Sequence, residues 1–307
     1  MIAPPRLRPG DRIGVVAPSG PVLRRLVEKG ARALEREGFR VVLARHVFDR
    51  RGHLAGEDGA RAEDLNRMLR NPDIRCVLMA RGGYGAMRIA ESVEWAAMRR
   101  DPKIFAGFSD ATFLHLGFAR HAGVRTLHGP NLHGLAGLRR GSLKRWIAWV
   151  TQPTPPESIR SLNAPIRLAG GRALLRGTVF GGNLTLLDHA IGTRVMPGLR
   201  GSILFLEEVN EPPYKIDGML CHLRLSRVLA GIRGVALGDF YRCKPKPRRP
   251  ELPLREVLED YVRALRVPAL AGIRAGHGRR NLPFPLGARA LLDARRGRIV
   301  FEQGLVS

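Results

Sequence analysis

The residues best suited to chemistry sit where apolar runs break into glycine-flanked turns. In Ile104-Phe-Ala-Gly-Phe-Ser-Asp-Ala-Thr-Phe-Leu-His115, an apolar strand runs into Gly107-Phe108-Ser109-Asp110 and then directly into a helix. A serine at such a turn holds its hydroxyl above the sheet, and the N–H of the next residue points into the same space, as in a nucleophile elbow. Ala111 stands where Gly-x-Ser-x-Gly has its second glycine, and the alternative role for Ser109 or Asp110 is to cap the helix that follows. Arg81-Gly82-Gly83-Tyr84-Gly85 also follows a buried run. Successive glycines there let backbone N–H groups face a cleft, which suits an oxyanion or a phosphate; the other reading is that they serve the turn alone. The spacing is not Gly-x-Gly-x-x-Gly and no Walker lysine follows, which argues against a nucleotide site.

Two further segments lie in the second half. Ser202-Ile-Leu-Phe-Leu-Glu207-Glu208 ends an apolar strand on two acids. Such a carboxylate can orient a histidine and stabilise its imidazolium, or it can simply be solvated as the strand leaves the core. Ala275-Gly276-His277-Gly278-Arg279 presents an imidazole between glycines, the best placed of the nine histidines for general-base work near neutral pH. His128, in Thr126-Leu-His-Gly-Pro130, is its competitor; His115, His121 and His222 fall in helical stretches, where packing or surface roles are expected. There is no His-Glu-x-x-His and no Cys-x-x-Cys, so neither a metal nor another cofactor is expected.

The elements that must position these residues read as α/β. Arg12–Ala17, Val41–Ala44, Cys76–Ala80 and Ile104–Gly107 are strands alternating with helices at 22–38, 60–70 and from Ser109 to about His121, the pattern of a mostly parallel sheet flanked by helices. Ligands of such sheets bind at the carboxyl ends of the strands. A helical patch at 143–150 and the proline-dense Thr151-Gln-Pro-Thr-Pro-Pro156 mark a connection. Beyond it, strands at 173–180, 202–206, 234–237, 288–292 and 298–301, with helices at 214–229 and 254–265, make a smaller mixed α/β domain. The boundaries expected are 1–140 for the N-terminal domain with Ser109, 141–168 for a linker region, and 169–307 for the C-terminal domain with Glu207 and His277.

Composition narrows the function. At 307 residues the chain has room for two domains, and 44% apolar against 26% charged content is that of a globular protein. No apolar run is long enough for a membrane span and Met1-Ile-Ala-Pro-Pro-Arg6 has no signal core, so a cytoplasmic protein with no membrane partner is expected. Cys76, Cys221 and Cys243 are too few and too scattered for a disulfide framework. The net charge of +25 raises polyanion binding as an alternative of a different class. Nearly all of the basic residues are arginine, spread along the chain with few aromatics for base stacking, which disfavours nucleic acid as a partner. The one dense cluster, Cys243–Pro250, is proline-rich and reads as an exposed loop.

Taken together, Arg81-Gly-Gly-Tyr-Gly85, Gly107-Phe-Ser-Asp110, Leu127-His-Gly-Pro130, Gly181-Gly-Asn-Leu184, Phe205-Leu-Glu-Glu-Val209 with Tyr214-Lys-Ile-Asp217, and Gly276-His-Gly278 closely resemble the LD-carboxypeptidase family, in its order and over essentially the whole chain. That family comprises murein tetrapeptide carboxypeptidases and microcin C self-immunity peptidases. The resemblance implies a serine nucleophile at Ser109, its acid at Glu207 with Glu208 the adjacent alternative, and its histidine at His277. It implies acyl transfer, with the oxyanion met by the backbone N–H of Asp110 and one from Gly82 or Gly83. Arg81 suits the terminal carboxylate of a substrate or pairing with an acidic neighbour, and Tyr84 is a second substrate contact. A cytosolic murein tetrapeptide losing its terminal D-alanine is the substrate implied, with a peptidyl-nucleotide amide as alternative, and a homodimer is the assembly implied. Gly218 stands where relatives often carry arginine.

Overall fold

The computed structural model describes residues 1–137, 140–155, 158–160, 174–245 and 250–307. Half of the proline-rich basic cluster, residues 246–249, and part of the expected linker, residues 156–157 and 161–168, lie outside the described residues. The chain forms two compact units, one of residues 1–156, 283–287 and 304–307, the other of residues 157–282 and 288–303.

The first unit carries five parallel strands, β1 (Arg12–Val16), β2 (Arg40–Leu43), β3 (Ile74–Met79), β4 (Ile104–Gly107) and β5 (Thr126–His128), in the spatial order β2-β1-β3-β4-β5. β1, β3 and β4 are buried almost throughout, as central strands covered on both faces must be, and so appear as unbroken apolar runs. The helices α1 (Arg24–Glu35), α2 (Asp58–Arg70), α3 (Trp95–Arg100) and α4 (Ala111–Gly117) lie between these strands in the chain, and α5 (Leu132–Leu135) and α6 (Arg140–Thr151) follow β5. In α1 the buried positions Val27, Gly30, Ala33 and Leu34 form one helical stripe. It packs on α5 so closely that a Cβ at Gly30 would lie 2.5 Å from the Leu132 carbonyl oxygen. α6 drives the fully buried Trp146 and Trp149 into the core of this unit.

Among the described residues, the second unit is built on seven strands, β6 (Ile159–Arg160), β7 (Leu174–Asn183), β8 (Ser202–Val209), β9 (Gly234–Tyr241), β10 (Ala269–Leu270), β12 (Arg289–Asp293) and β13 (Arg298–Phe301), ordered β10-β9-β8-β7-β12-β13-β6. The four from β7 to β10 are parallel to their neighbours, while β12, β13 and β6 pair antiparallel. The intervening β11 (Phe284–Leu286) belongs to the first unit, where it adds an antiparallel edge to β5. Its central Pro285 lacks an N–H to donate and is tolerated because the strand lies at an edge. Helices α7 (Leu184–Ala190), α8 (Pro213–Leu225) and α9 (Leu254–Leu265) accompany the sheet. The expected fold class therefore holds: two mixed α/β layers, the first mostly parallel. Among the described residues no helix is long and apolar enough to cross a membrane.

Candidate active site

In the first unit, the polar residues gather at the carboxyl ends of β1, β3 and β4. Ser109 follows β4 with φ of +66°, in the left-handed region that costs a residue bearing a Cβ about 1 kcal/mol or more. The turn is tight at both ends. A Cβ at Gly107 would lie 2.9 Å from that of Ala111, so the small residue at 111 serves in place of the second glycine. Across from it, a Cβ at Gly82 would sit 2.9 Å from the Ser109 Cβ and 3.0 Å from its Oγ. Gly83, at φ of +117°, passes so close to Gly20 that a Cβ would be 3.1 Å from its Cα, and Gly20 N–H donates to the Gly82 carbonyl at 3.2 Å. The glycines thus serve close backbone approach to the serine as well as the turn.

Asp110 does not cap α4 with its side chain. Its buried carboxylate instead accepts the Ser19 hydroxyl at 2.5 Å and the Ala86 N–H at 2.8 Å, tying the ends of β1 and β3 to the serine turn. Asn131 supports the same turn by accepting the Phe108 N–H at 3.1 Å. The fully buried Arg61 of α2 donates to the carbonyls of Pro18 and Gly85, the latter at 3.0 Å, and to Asp58 at 2.5 Å. Asp58 also receives Arg88, whose guanidinium is the main reason its pKa is held down at about 2. Sequence reasoning missed Ser19, Arg61 and Asn131, because no local pattern marks a partner that far away along the chain.

In the second unit, the wholly buried Glu207 accepts a hydrogen bond from His277, with Oε2 2.7 Å from Nδ1. A carboxylate bound there fixes the tautomer that leaves Nε2 as the proton acceptor. Burial lowers the imidazole pKa, but the hydrogen bond and charge of Glu207, with the charges of Glu208 and Asp239, outweigh it and hold the pKa above its ordinary value. Glu208 faces elsewhere, as the next residue on a strand must. It accepts Asn183 Nδ2 at 2.9 Å and the Thr185 N–H and hydroxyl at 2.8 and 2.7 Å, so it holds the start of α7. Both acids are buried rather than solvated. Gly276, at φ of +118°, is required by that contact, since a Cβ would be 2.6 Å from Glu207 Oε2.

The remaining candidates are distributed as follows. Arg81 is exposed and donates to the Pro21 carbonyl at 2.7 Å. Tyr84 is 40% exposed, with its ring 5.6 Å from that of His53. His128 is a packed residue, its buried ring stacked 4.9 Å from that of Phe284. His115 is likewise internal, with Nε2 2.9 Å from the Gly107 carbonyl and Nδ1 2.8 Å from the Thr126 hydroxyl. Gly218 lies in α8 with open space where a Cβ would point.

The fold is that of a two-unit α/β protein whose polar residues gather at the carboxyl ends of parallel strands. Family models for the LD-carboxypeptidase N-terminal domain and C-terminal domain match residues 13–129 and 176–292. The chain is 36% identical over 308 residues to "Probable murein peptide carboxypeptidase" of Bacillus subtilis, covering 98% of this chain and 95% of that one. It is 32% identical to the murein tetrapeptide carboxypeptidase of Pseudomonas aeruginosa, covering 94% of each. Among solved structures, MccF in complex with glutamyl sulfamoyl guanosine aligns over 100% of both chains with a TM-score of 0.86 at 25% identity. The chain belongs to the LD-carboxypeptidase family and is a peptidase of the serine type.

Proposed function

We propose that the protein is a cytoplasmic serine carboxypeptidase that hydrolyses the L,D-peptide bond preceding the terminal D-alanine of a murein tetrapeptide, a step of peptidoglycan recycling. Ser109 is the nucleophile, His277 the general base and acid, and Glu207 the residue that orients and stabilises the imidazolium. Ser109 Oγ attacks the carbonyl carbon as its proton passes to His277; the same proton then goes to the departing amine, releasing D-alanine and leaving an ester on Ser109. Water, deprotonated in turn by His277, cleaves that ester and restores the serine. The backbone N–H of Asp110, with one from Gly82 or Gly83, stabilises the oxyanion, each donor contributing about 3–4 kcal/mol to the barrier difference. Arg81 and Tyr84 are assigned to the substrate, Arg81 to its terminal carboxylate.

The observation that carries this reading is the backbone of Ser109, a strained non-glycine residue at a strand-to-helix turn whose side chain packs against Gly82. The test is mass spectrometry of tetrapeptide incubated with wild type and with His277→Ala. Release of D-alanine by the first and its near-complete loss in the second is expected; equal release by both removes His277 from the mechanism. A homodimer belongs to the same reading, and light scattering at working concentration checks it.

A second substrate class is an aminoacyl-nucleotide amide. MccF is a relative solved in complex with glutamyl sulfamoyl guanosine, and the exposed His53–Tyr84 ring pair beside Gly83 offers a face for a base. Cleavage of an aminoacyl sulfamoyl nucleoside in preference to the tetrapeptide would select it.

A further inference from the structure

We propose that Asp239 is a second acid of the histidine turn, a positioning residue that holds Gly278 and, through it, His277, and whose negative charge acts on the imidazole alongside that of Glu207. The inference rests on the serine-peptidase reading above and adds to it a residue outside the Ser109, His277 and Glu207 set.

The pairing of β8 with β9 is the origin of the arrangement. Leu206 pairs with Leu237 and Glu208 with Phe240, so Gly238 and Asp239 together oppose Glu207. One extra residue in β9 makes a bulge, a device that re-aims a side chain beside a functional site. The two carboxylates then grip the turn from adjacent strands, one under each glycine. A Cβ at Gly276 would lie 2.6 Å from Glu207 Oε2, and one at Gly278 would lie 2.4 Å from Asp239 Oδ2. Glycine on both sides of His277 is thus the sequence mark of two acids, not one.

The hydrogen bonds are divided in the same way. Glu207 takes His277 Nδ1, while Asp239 accepts the Gly278 N–H and donates its own N–H to the Ala275 carbonyl at 2.9 Å. Asn281 completes the hold by accepting the Gly276 N–H at 3.1 Å. The second oxygen of Asp239, Oδ2, is buried with no hydrogen-bond partner among the described residues. The charged groups acting on the imidazole are Glu207 and Glu208 from β8 and Asp239 from β9. Those acting on Asp239 are Glu207 and His277, and burial, opposed by the Gly278 N–H, pushes its carboxyl up to about 6. The charges of Asp239 and His277 act on one another, so each ionisation biases the other.

Asp239→Asn and Asp239→Ala separate the two roles. The amide oxygen of asparagine still accepts the Gly278 N–H but carries no charge; alanine removes both. The readouts are an NMR titration of the His277 ring and the pH profile of kcat/KM for tetrapeptide cleavage. Loss of the negative charge moves the His277 pKa downward in both variants, and the acid limb of the profile follows it to lower pH. At the plateau, Asp239→Asn keeps kcat near wild type, while Asp239→Ala loses roughly tenfold, the effect of one hydrogen bond. A His277 titration unchanged in both variants, or a plateau kcat unchanged in Asp239→Ala, overturns the inference. The ring titration needs no turnover, so it can fail while the peptidase reading stands, and that reading is tested separately by His277→Ala.

Discussion

Ser109 leaves Gly82 no room for a side chain, because a Cβ at position 82 would sit 2.9 Å from the Ser109 Cβ and 3.0 Å from its Oγ. Gly82→Ala must displace either the nucleophile or the loop assigned to the oxyanion. A misplacement of that size costs about a hundredfold in kcat/KM, while overpacking costs about 1–3 kcal/mol of stability. Steady-state D-alanine release and a thermal melt on the same preparation check both halves.

Glu207→Gln preserves shape and removes the charge that binds His277 Nδ1. By loss of the correct tautomer, kcat falls by about 10³–10⁴. In the wild type, activity rises with pH as the base loses its proton, and the raised imidazole pKa places that rise above the ordinary histidine range. The glutamine variant shifts it to lower pH, as its residual kcat/KM measured against pH will show.

Asp110→Ala strips the acceptor from both the Ser19 hydroxyl and the Ala86 N–H, which are otherwise bonded at 2.5 and 2.8 Å. Leaving buried donors unsatisfied costs about 1–3 kcal/mol, and Ser19→Ala, which removes a single bond, costs less. Chemical denaturation of the three proteins ranks them, wild type first and Asp110→Ala last.

His115 gives the first unit a pH-dependent stability. Burial is the main cause of its pKa falling to about 4, opposed by its bond to the Gly107 carbonyl. The unfolded chain takes up a proton near pH 6.5 that the folded ring refuses, so the contribution of neutral His115 is present above 6.5 and is lost as pH falls through 6.5 toward 4. The loss amounts to about 3 kcal/mol. Denaturation midpoints from pH 7 to 4 should fall more steeply in wild type than in His115→Gln.

Much of this was readable from the residues alone because buried parallel strands are unbroken apolar runs. β1, β3, β4 and β8 are such runs; the turns after β3 and β4 carry Gly82 and Ser109, and Glu207 lies near the end of β8 itself. β5 and β11 were not readable, since each has three residues and one has a central proline. Whether Glu207 or Glu208 meets the histidine depends on which face of β8 each takes, and two adjacent acids carry no local sign of it. Asp110 resembled a helix cap because its bond to Ser19 spans 91 residues. Nothing in the residues around Asp239 points to it, and Gly278 shows its need for space only once the bulge in the pairing of β8 with β9 is known.

The central claim is that Ser109 is the nucleophile. Mass spectrometry of the whole protein, quenched with acid during turnover of tetrapeptide, reads it most directly. The account predicts an adduct equal to the tripeptide acyl group, located on the peptide containing Ser109, and neither adduct nor D-alanine from Ser109→Ala. Continued D-alanine release by that variant, or an adduct on a different residue, would contradict it.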